Sequence, residues 1–111
     1  MRERYPQLDW KTTSWPGVSL AFLESRPDGS ARVLIAMQPG SSYPAHRHRG
    51  VEEVFVVAGA YADARGRYAA GGFQRFAAGS AHHPVAGPEG ALLLAWAERG
   101  IELLEGRPEG D

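Results

Sequence analysis

The chain has 111 residues, of which 43% are hydrophobic and 23% charged, and it contains no cysteine. This length predicts one domain with its own core, and the lack of cysteine excludes disulfides, thiolate zinc sites and cysteine nucleophiles. Twelve basic and 13 acidic residues, without a basic stripe, indicate no nucleic-acid or membrane partner. Since no apolar run reaches about 18 residues and the start lacks an apolar signal segment, we expect a cytoplasmic protein.

The predicted elements are short strands separated by turns. Fourteen glycines and eight prolines divide the chain into segments rich in Val, Leu, Phe and Tyr, which predicts an all-β sandwich or barrel. In chain order, strands are predicted over 18–24, 31–38, 51–58 with a continuation through Tyr61, 73–76, 91–97 and 101–104.

Further predictions concern the turns, one ambiguous segment and the two termini. Turns are predicted at 27–30, 64–66 and 87–90 from their Gly, Pro and Asp content. Segment 91–97 has helical propensity but is short and bounded by glycines, so it is interpreted as a strand that pairs with 101–104. The first ten residues and the tail 106–111 are expected to be frayed or to pack on a partner.

All four histidines lie in the middle of the chain, at His46, His48, His82 and His83. Residues two apart on an extended segment point to the same side, so His46 and His48 can reach one point. A carboxylate follows at position 52 or 53, and imidazole with carboxylate suits a divalent transition metal. The alternative is a solvent-exposed loop without a role.

The spacing of these residues resembles the cupin family, whose members are double-sheet jelly rolls. The first cupin motif is G-x5-H-x-H-x3,4-E-x6-G, and Gly40, His46, His48, Glu52 and Gly59 satisfy it in full over 40–59. The resemblance implies an all-β cupin double-stranded β-helix, a jelly-roll barrel, as a single domain over 1–111.

The second cupin motif, G-x5-P-x-G-x2-H-x3-N, is matched in part over 71–86. Gly71, Gly79 and His82 occupy its glycine and histidine positions, whereas Ala77 replaces the proline and Ala86 the asparagine. These differences affect turn and packing details and leave the ligand position intact. The motif selects His82, and the adjacent His83 is expected to point away as a structural or exposed residue, with a role at the pocket rim left open.

The two motifs also select between the neighbouring carboxylates. Glu52 completes the first motif and shares strand parity with Val54 and Val56, on the face predicted to point inward. Glu53 is expected to point away from the site as a solvated or interface carboxylate.

Within the cupins, the run from His46 to Pro84 is similar to the cupin-like domain of ChrR-type anti-sigma factors. Asp63, Gly66, Tyr68 and Gly71 occupy the hairpin positions of that subgroup. The resemblance implies one divalent transition metal per chain (Zn, Fe, Mn or Ni) held by His46, His48, Glu52 and His82. The anti-sigma factors bind zinc and carry a further N-terminal zinc domain with cysteine ligands. Because these 111 residues lack cysteine, we expect the chain to act without that domain.

Two functions fit such a site. A redox metal would make the chain an oxygenase-type enzyme acting on a small molecule, whereas zinc would make it a non-catalytic sensor or regulatory module. Arg75 either faces water or holds an anionic substrate. Core packing is the favoured interpretation of most other candidate pocket residues, which are Met37, Tyr43, Val54, Val56, Phe73 and Trp96. Three tryptophans, 10% aromatic residues and open sheet edges predict a homodimer.

Overall fold

The fold consists of antiparallel strands arranged in two sheets. The computed structural model describes residues 1–104. Within them, a short 3₁₀ helix at Arg2–Arg4 precedes ten strands. The strands are β1 Lys11–Thr12, β2 Val18–Ser25, β3 Ala31–Met37, β4 His46–His48, β5 Glu52–Asp63, β6 Gly66–Ala69, β7 Phe73–Phe76, β8 Ala81–His82, β9 Val85–Ala97 and β10 Ile101–Leu103.

The larger sheet has the order β1-β2-β3-β9-β5-β6, with β7 also paired to β5, and the smaller sheet has the order β10-β4-β8. The all-β prediction is therefore confirmed, and segment 91–97 is a strand, as interpreted. Across residues 1–104, no helix has the length and apolar character of a membrane span.

The main core lies on the inner face of the larger sheet. Ile35, Val54, Val56 and Leu93 belong to one buried cluster and occupy alternate positions on β3, β5 and β9. Because strand side chains alternate between faces, this pattern fixes which residues enter the barrel. Burying each such side chain stabilises the fold by about 1.5–3 kcal/mol. Glu52 begins β5 with the parity of Val54 and is therefore carried to the inner face.

Strands β5 and β9 are longer and less regular than the sequence suggested. The predicted continuation through Tyr61 belongs to the same strand, which ends at Asp63, and the turn predicted at 87–90 lies inside β9. Gly59 has φ +72°, and a Cβ at this position would clash with the carbonyl of Gly90 on the neighbouring strand. Both strands thus bend at a close backbone contact, and the glycines that resembled a turn signal belong to this bend.

The last strand pairs differently from the prediction. Strand β10 was expected to pair with 91–97, but Ile101 pairs with His48 and Leu103 with His46 on β4. Arg99 has φ 60°, and the tight turn at this point directs the chain into the smaller sheet. As a result, β10 supports the strand that carries two of the histidines.

The N-terminal segment packs on the outer face of the larger sheet, which corrects the expectation of a frayed or partner-bound start. Met1, Tyr5, Leu8 and Trp10 pack against a buried outer cluster that contains Leu92. The Trp10 indole N–H donates to the backbone carbonyl of Tyr5 at 2.9 Å. In this N-terminal segment, the spacing of the apolar residues follows neither the period of a strand nor that of a helix. The contact could therefore not be predicted from the sequence. The tail predicted at 106–111 lies outside the described residues.

Candidate metal centre

Three strands bring together the side chains of His46, His48, Glu52 and His82. His46 and His48 are two residues apart on β4 and point to the same side. His82, on β8, is the direct register partner of His46. The ligating atoms of the four residues all lie within 4.8 Å of one another. The sequence-predicted set is thus a single cluster inside the barrel that could hold a metal ion.

The distances within the cluster are short and involve atoms that normally accept hydrogen bonds. His46 Nε2 lies 3.1 Å from His82 Nε2. His48 Nε2 lies 2.7 Å from Glu52 Oε1, and His46 Nε2 lies 3.9 Å from the same oxygen. Although these two atoms are close, neither His48 Nε2 nor Glu52 Oε1 has a hydrogen-bond partner among the described residues. Unpaired buried polar atoms are rare and need an explanation.

The other nitrogen of each β4 histidine contacts a protein oxygen. His46 Nδ1 lies 2.8 Å from the backbone carbonyl of Pro44, which can only accept a hydrogen bond. His48 Nδ1 lies 3.0 Å from Ser80 Oγ, and the Ser80 hydroxyl donates to the carbonyl of Ala77 at 2.6 Å. The Ser80 oxygen is therefore left to accept from His48. Both rings carry their proton on Nδ1.

The His82 ring is held by a buried carboxylate. His82 Nδ1 lies 2.8 Å from Asp63 Oδ2, while Asp63 Oδ1 accepts from the Arg65 N–H at 2.9 Å and the Tyr68 hydroxyl at 3.1 Å. Burial raises the pKa of Asp63, but these hydrogen bonds outweigh it and lower the pKa from its ordinary value. Asp63 is thus ionised at neutral pH, and His82 donates its Nδ1 proton to it.

These contacts decide the chemistry of the cluster. With all three Nδ1 atoms protonated, the three Nε2 atoms present lone pairs to one another and to the Glu52 carboxylate. In these tautomers no imidazole N–H points into the cluster, and lone pairs that face each other repel. A divalent cation would satisfy all four at once, because metal–nitrogen distances of about 2.0–2.1 Å place ligand atoms about 3–4 Å apart. The residues therefore fit a divalent transition-metal ion that is intermediate between hard and soft.

Burial keeps the imidazoles in the form that binds metals. Burial lowers the pKa of His46 to about 4, against a smaller opposing effect of the Pro44 carbonyl. Burial also lowers the pKa of His82, although the hydrogen bond to Asp63 opposes the shift. Both rings are neutral near pH 7, so a cation does not have to displace their protons.

Aromatic side chains fix the orientation of the ligand rings. Phe76, on β7 of the larger sheet, stacks on His48 at a centroid distance of 5.1 Å and lies 4.5 Å from His82. Tyr43 meets His46 edge-on at 5.3 Å. These contacts join the two sheets across the barrel, so the packed core determines the position of the cluster.

Most of the remaining sequence candidates lie away from the cluster. Arg75 donates to Glu53 at 3.1 Å on the outside of the barrel, which favours the water-facing alternative for this arginine. His83 is exposed, and Phe73 is 60% exposed. Trp96 lies beneath the guanidinium of Arg32, 5.0 Å from its ring centroid. Of the proposed pocket residues, Tyr43 lies beside the cluster, whereas Met37, Val54 and Val56 belong to the buried core.

Sequence reasoning missed the roles of Asp63 and Ser80. Asp63 was noted only as a hairpin position, and Ser80 was given no part in the site. They lie 19 and 32 residues from the histidines they contact, so no local spacing connects each pair. An aspartate near the end of an apolar strand was the one available signal.

Residues 3–100 match the family model of the ChrR cupin-like domain. The chain belongs to the ChrR cupin-like domain family. The resemblance stated from the two sequence motifs is thereby confirmed, and so is the jelly-roll fold of this cupin.

Solved structures agree with the cupin fold. One similar chain belongs to the complex of Rhodobacter sphaeroides SigE with the anti-sigma ChrR, with 29% identity and a TM-score of 0.76, covering 86% of this chain. The cupin spans about half (51%) of that chain. An RmlC-like cupin from Ralstonia eutropha has 17% identity and a TM-score of 0.79, with 92% of this chain and 70% of that one covered.

An enzyme is also among the similar structures. The acetylacetone dioxygenase of Acinetobacter johnsonii has 17% identity and a TM-score of 0.78, with 92% of this cupin and 74% of the enzyme covered. At this identity the likeness concerns the fold. Comparison with the curated proteins gives no match.

Proposed function

We propose that this cupin binds one divalent transition metal per chain, chosen from Zn, Fe, Mn and Ni, through His46, His48, Glu52 and His82. The observation that carries the proposal is the convergence of three imidazole Nε2 atoms and one carboxylate oxygen within 4.8 Å, where His48 Nε2 and Glu52 Oε1 have no hydrogen-bond partner among the described residues. Such an arrangement is unfavourable when empty, because each buried lone pair loses its hydrogen bond to water.

We further propose that the bound metal serves an oxygenase-type reaction on a small molecule. Three imidazoles and one carboxylate leave one or two positions open on a five- or six-coordinate ion, where a ligand could bind. A redox-active ion such as Fe(II) would supply the electron transfer to O2 that the side chains cannot perform. The protein's own residues would fix the geometry, exclude water and hold the substrate next to the ion.

A non-catalytic zinc module is the second candidate. Its support is the membership in the ChrR cupin-like family and the 29% identity to a chain of the SigE–ChrR complex. Zinc accepts a shell of three nitrogens and one oxygen and has no redox chemistry. In this case, the metal would stabilise the barrel or sense a small molecule, and a separate protein would receive the signal.

Metal analysis with matched variants tests the site. Protein purified without a metal-affinity tag should contain about one ion per chain, and His48→Ala and Glu52→Ala should lose most of it. Glu53→Ala and His83→Ala are the controls, since each changes a neighbouring residue of the same type that points away from the cluster. Equal loss in the ligand and control variants would contradict the assignment.

Oxygen consumption separates the two functions. Stoichiometric Fe or Mn together with substrate-dependent O2 uptake against dicarbonyl or flavonoid compounds supports the oxygenase. Stoichiometric Zn without O2 uptake supports the regulatory module. The two functions can be told apart because each requires a different metal in the same four-ligand site.

The homodimer and the cytoplasmic location remain proposals. Phe55 and Phe73 are paired neighbours on the outer face of the larger sheet and are 41% and 60% exposed, which supports an apolar contact between two copies. Light scattering after size exclusion should give twice the mass of one chain, and one chain's mass would contradict the dimer. Cell fractionation tests the location.

A further inference from the structure

A cavity that opens to solvent lies next to the metal cluster. Its volume is about 320 Å³, near the lower end of the range for small-molecule pockets. Phe22 and Leu103 line it and are 54% and 46% exposed, so the cavity has an apolar rim that is open to solvent. An apolar rim that is continuous with a cavity is typical of a site that a ligand or partner covers.

The cavity is in contact with the proposed metal site. A small space of about 30 Å³ touches His46 and His82. Ile35, Tyr43, Glu52 and Ile101 line both this space and the larger cavity. A molecule in the larger cavity therefore has one end beside Glu52, whose side chain is buried and whose Oε1 lacks a hydrogen-bond partner among residues 1–104.

The lining of the cavity restricts what can bind. Among the described residues, the charged group in the wall is Glu52, and the hydroxyl is that of Tyr43; no cationic side chain contributes. The rest of the wall consists of the Trp15 indole, apolar side chains and glycine backbone. With a divalent cation in place, the four ligands leave one net positive charge, which can neutralise a single anionic group. A second charge, further out, would be buried against apolar side chains without a partner, which is strongly unfavourable.

We propose that this cavity binds a small molecule that has an apolar body and a single oxygen-bearing head group. The head lies next to Glu52 at the metal, and the body extends between Val33 and Leu20 towards the rim at Phe22. This orientation rests on the metal site proposed above. Dicarboxylates and other molecules that are charged at both ends are excluded as ligands.

Two ring compounds of equal size test this inference by calorimetry on zinc-loaded protein. 4-Isopropylcyclohexanecarboxylate should bind at least about tenfold more tightly than cyclohexane-1,4-dicarboxylate, in which a charged carboxylate replaces the apolar isopropyl group of similar shape at the far end. Phe22→Arg is the decisive variant, since the substituted side chain is exposed and would supply a cation at the rim. It should reverse or abolish the preference. Equal affinity for the two compounds in the unmodified protein, or binding of neither, would overturn the inference.

A cavity-filling variant shows where the ligand lies. Ala31 lines the cavity and takes no part in the metal cluster, so Ala31→Phe should weaken monocarboxylate binding at least about tenfold with unchanged zinc content. Ala69→Phe, at an exposed strand position, is the control and should bind as the unmodified protein does. Unchanged binding in Ala31→Phe would contradict the location.

Zinc content, measured on the same samples, separates this inference from the metal proposal. Protein that takes up no zinc contradicts the metal site, and the cavity is then tested alone with cyclohexanol. Cyclohexanol binding that is present in the unmodified protein and lost in Ala31→Phe would support the apolar cavity. If the unmodified protein does not bind cyclohexanol, the cavity inference is overturned together with the metal site.

Discussion

His82 donates its Nδ1 proton to the carboxylate of Asp63 across 2.8 Å, and both side chains are buried. This hydrogen bond fixes the tautomer of the ring and turns Nε2 towards His46, 3.1 Å away. In metal centres, a carboxylate behind a histidine orients the ring and increases its basicity. Asp63 is therefore a positioning residue for the proposed site. It holds the His82 ring and is not one of the four ligands.

Asp63→Asn should weaken zinc binding about 10- to 100-fold, the usual effect of removing such a partner. The substitution keeps the shape but removes the charge that holds the His82 proton. Competition with a zinc chelator measures the affinity. Tyr68→Phe is the control, because it removes a hydrogen bond to Asp63 Oδ1 and leaves the Oδ2 contact to His82. An unchanged zinc affinity in Asp63→Asn would contradict the positioning role.

Glu52→Gln should stabilise the metal-free protein and reduce the stability that the protein gains from bound metal. Without metal, the substitution removes an unpaired buried carboxylate oxygen, and the free energy of unfolding should rise by about 1–3 kcal/mol. With zinc, the variant should gain less stability than the unmodified protein, since an anionic ligand is lost. Urea titrations with zinc and with a chelator measure both effects.

Glu53→Gln serves as the matched control for that pair of titrations. Glu53 forms an ion pair with Arg75 in which the arginine is largely exposed, and such pairs contribute about 0–1 kcal/mol. The control should therefore shift stability little in either condition. If the metal-free Glu52→Gln protein were less stable than the unmodified one, the assignment of an unpaired carboxylate would be wrong.

The metal-free protein should lose stability as the pH falls from about 6.5 to about 4. Burial lowers the pKa of His46 to about 4 from an ordinary 6.5, so in this window the unfolded chain binds a proton that the folded chain excludes. Proton uptake by the unfolded state makes stability rise with pH. The lowered pKa of His82 acts in the same direction. The shift at His46 corresponds to a loss of about 3 kcal/mol across the window.

Chelator-treated protein, unfolded with urea at several pH values, measures this dependence. His46→Gln should flatten the curve between about pH 6.5 and 4, because it removes the imidazole whose pKa burial lowers to about 4. A flat curve in the unmodified protein would contradict a buried neutral His46.

Gly59→Ala should destabilise the barrel more than Gly71→Ala. Both glycines have a positive φ, +72° and +89°, but only at Gly59 would the added Cβ meet the backbone of the neighbouring strand, whereas at Gly71 no atom of residues 1–104 lies within 4 Å. Gly71→Ala should therefore show the conformational effect alone, about 1–2 kcal/mol. Thermal unfolding measures both variants, and equal losses would contradict the close contact between β5 and β9.

The sequence predicted those features that depend on local periodicity. Alternation along β5 placed Glu52 on the same face as Val54 and Val56, and the HxH spacing on β4 predicted that two imidazoles share a side. These inferences succeed because a strand has a period of two whatever its partners are. The motif spacing then selected His82 and the cupin fold.

Features that depend on distant contacts could not be read in this way. The residues 87–90 carry the composition of a turn, yet they continue β9 because Gly90 packs against the bend in β5. Strand β10 joins β4 although β9 is its neighbour in sequence. Asp63 and Ser80 reach the histidines only through the tertiary fold, so their roles required the structure.

Anomalous X-ray diffraction from crystals of untagged protein, recorded at the absorption edges of Zn, Fe, Mn and Ni, is the most direct test of the metal centre. We predict one anomalous peak per chain, about 2.0–2.2 Å from His46 Nε2, His48 Nε2, His82 Nε2 and a carboxylate oxygen of Glu52. Crystals grown from metal-supplemented protein with no peak within reach of these four residues would contradict it.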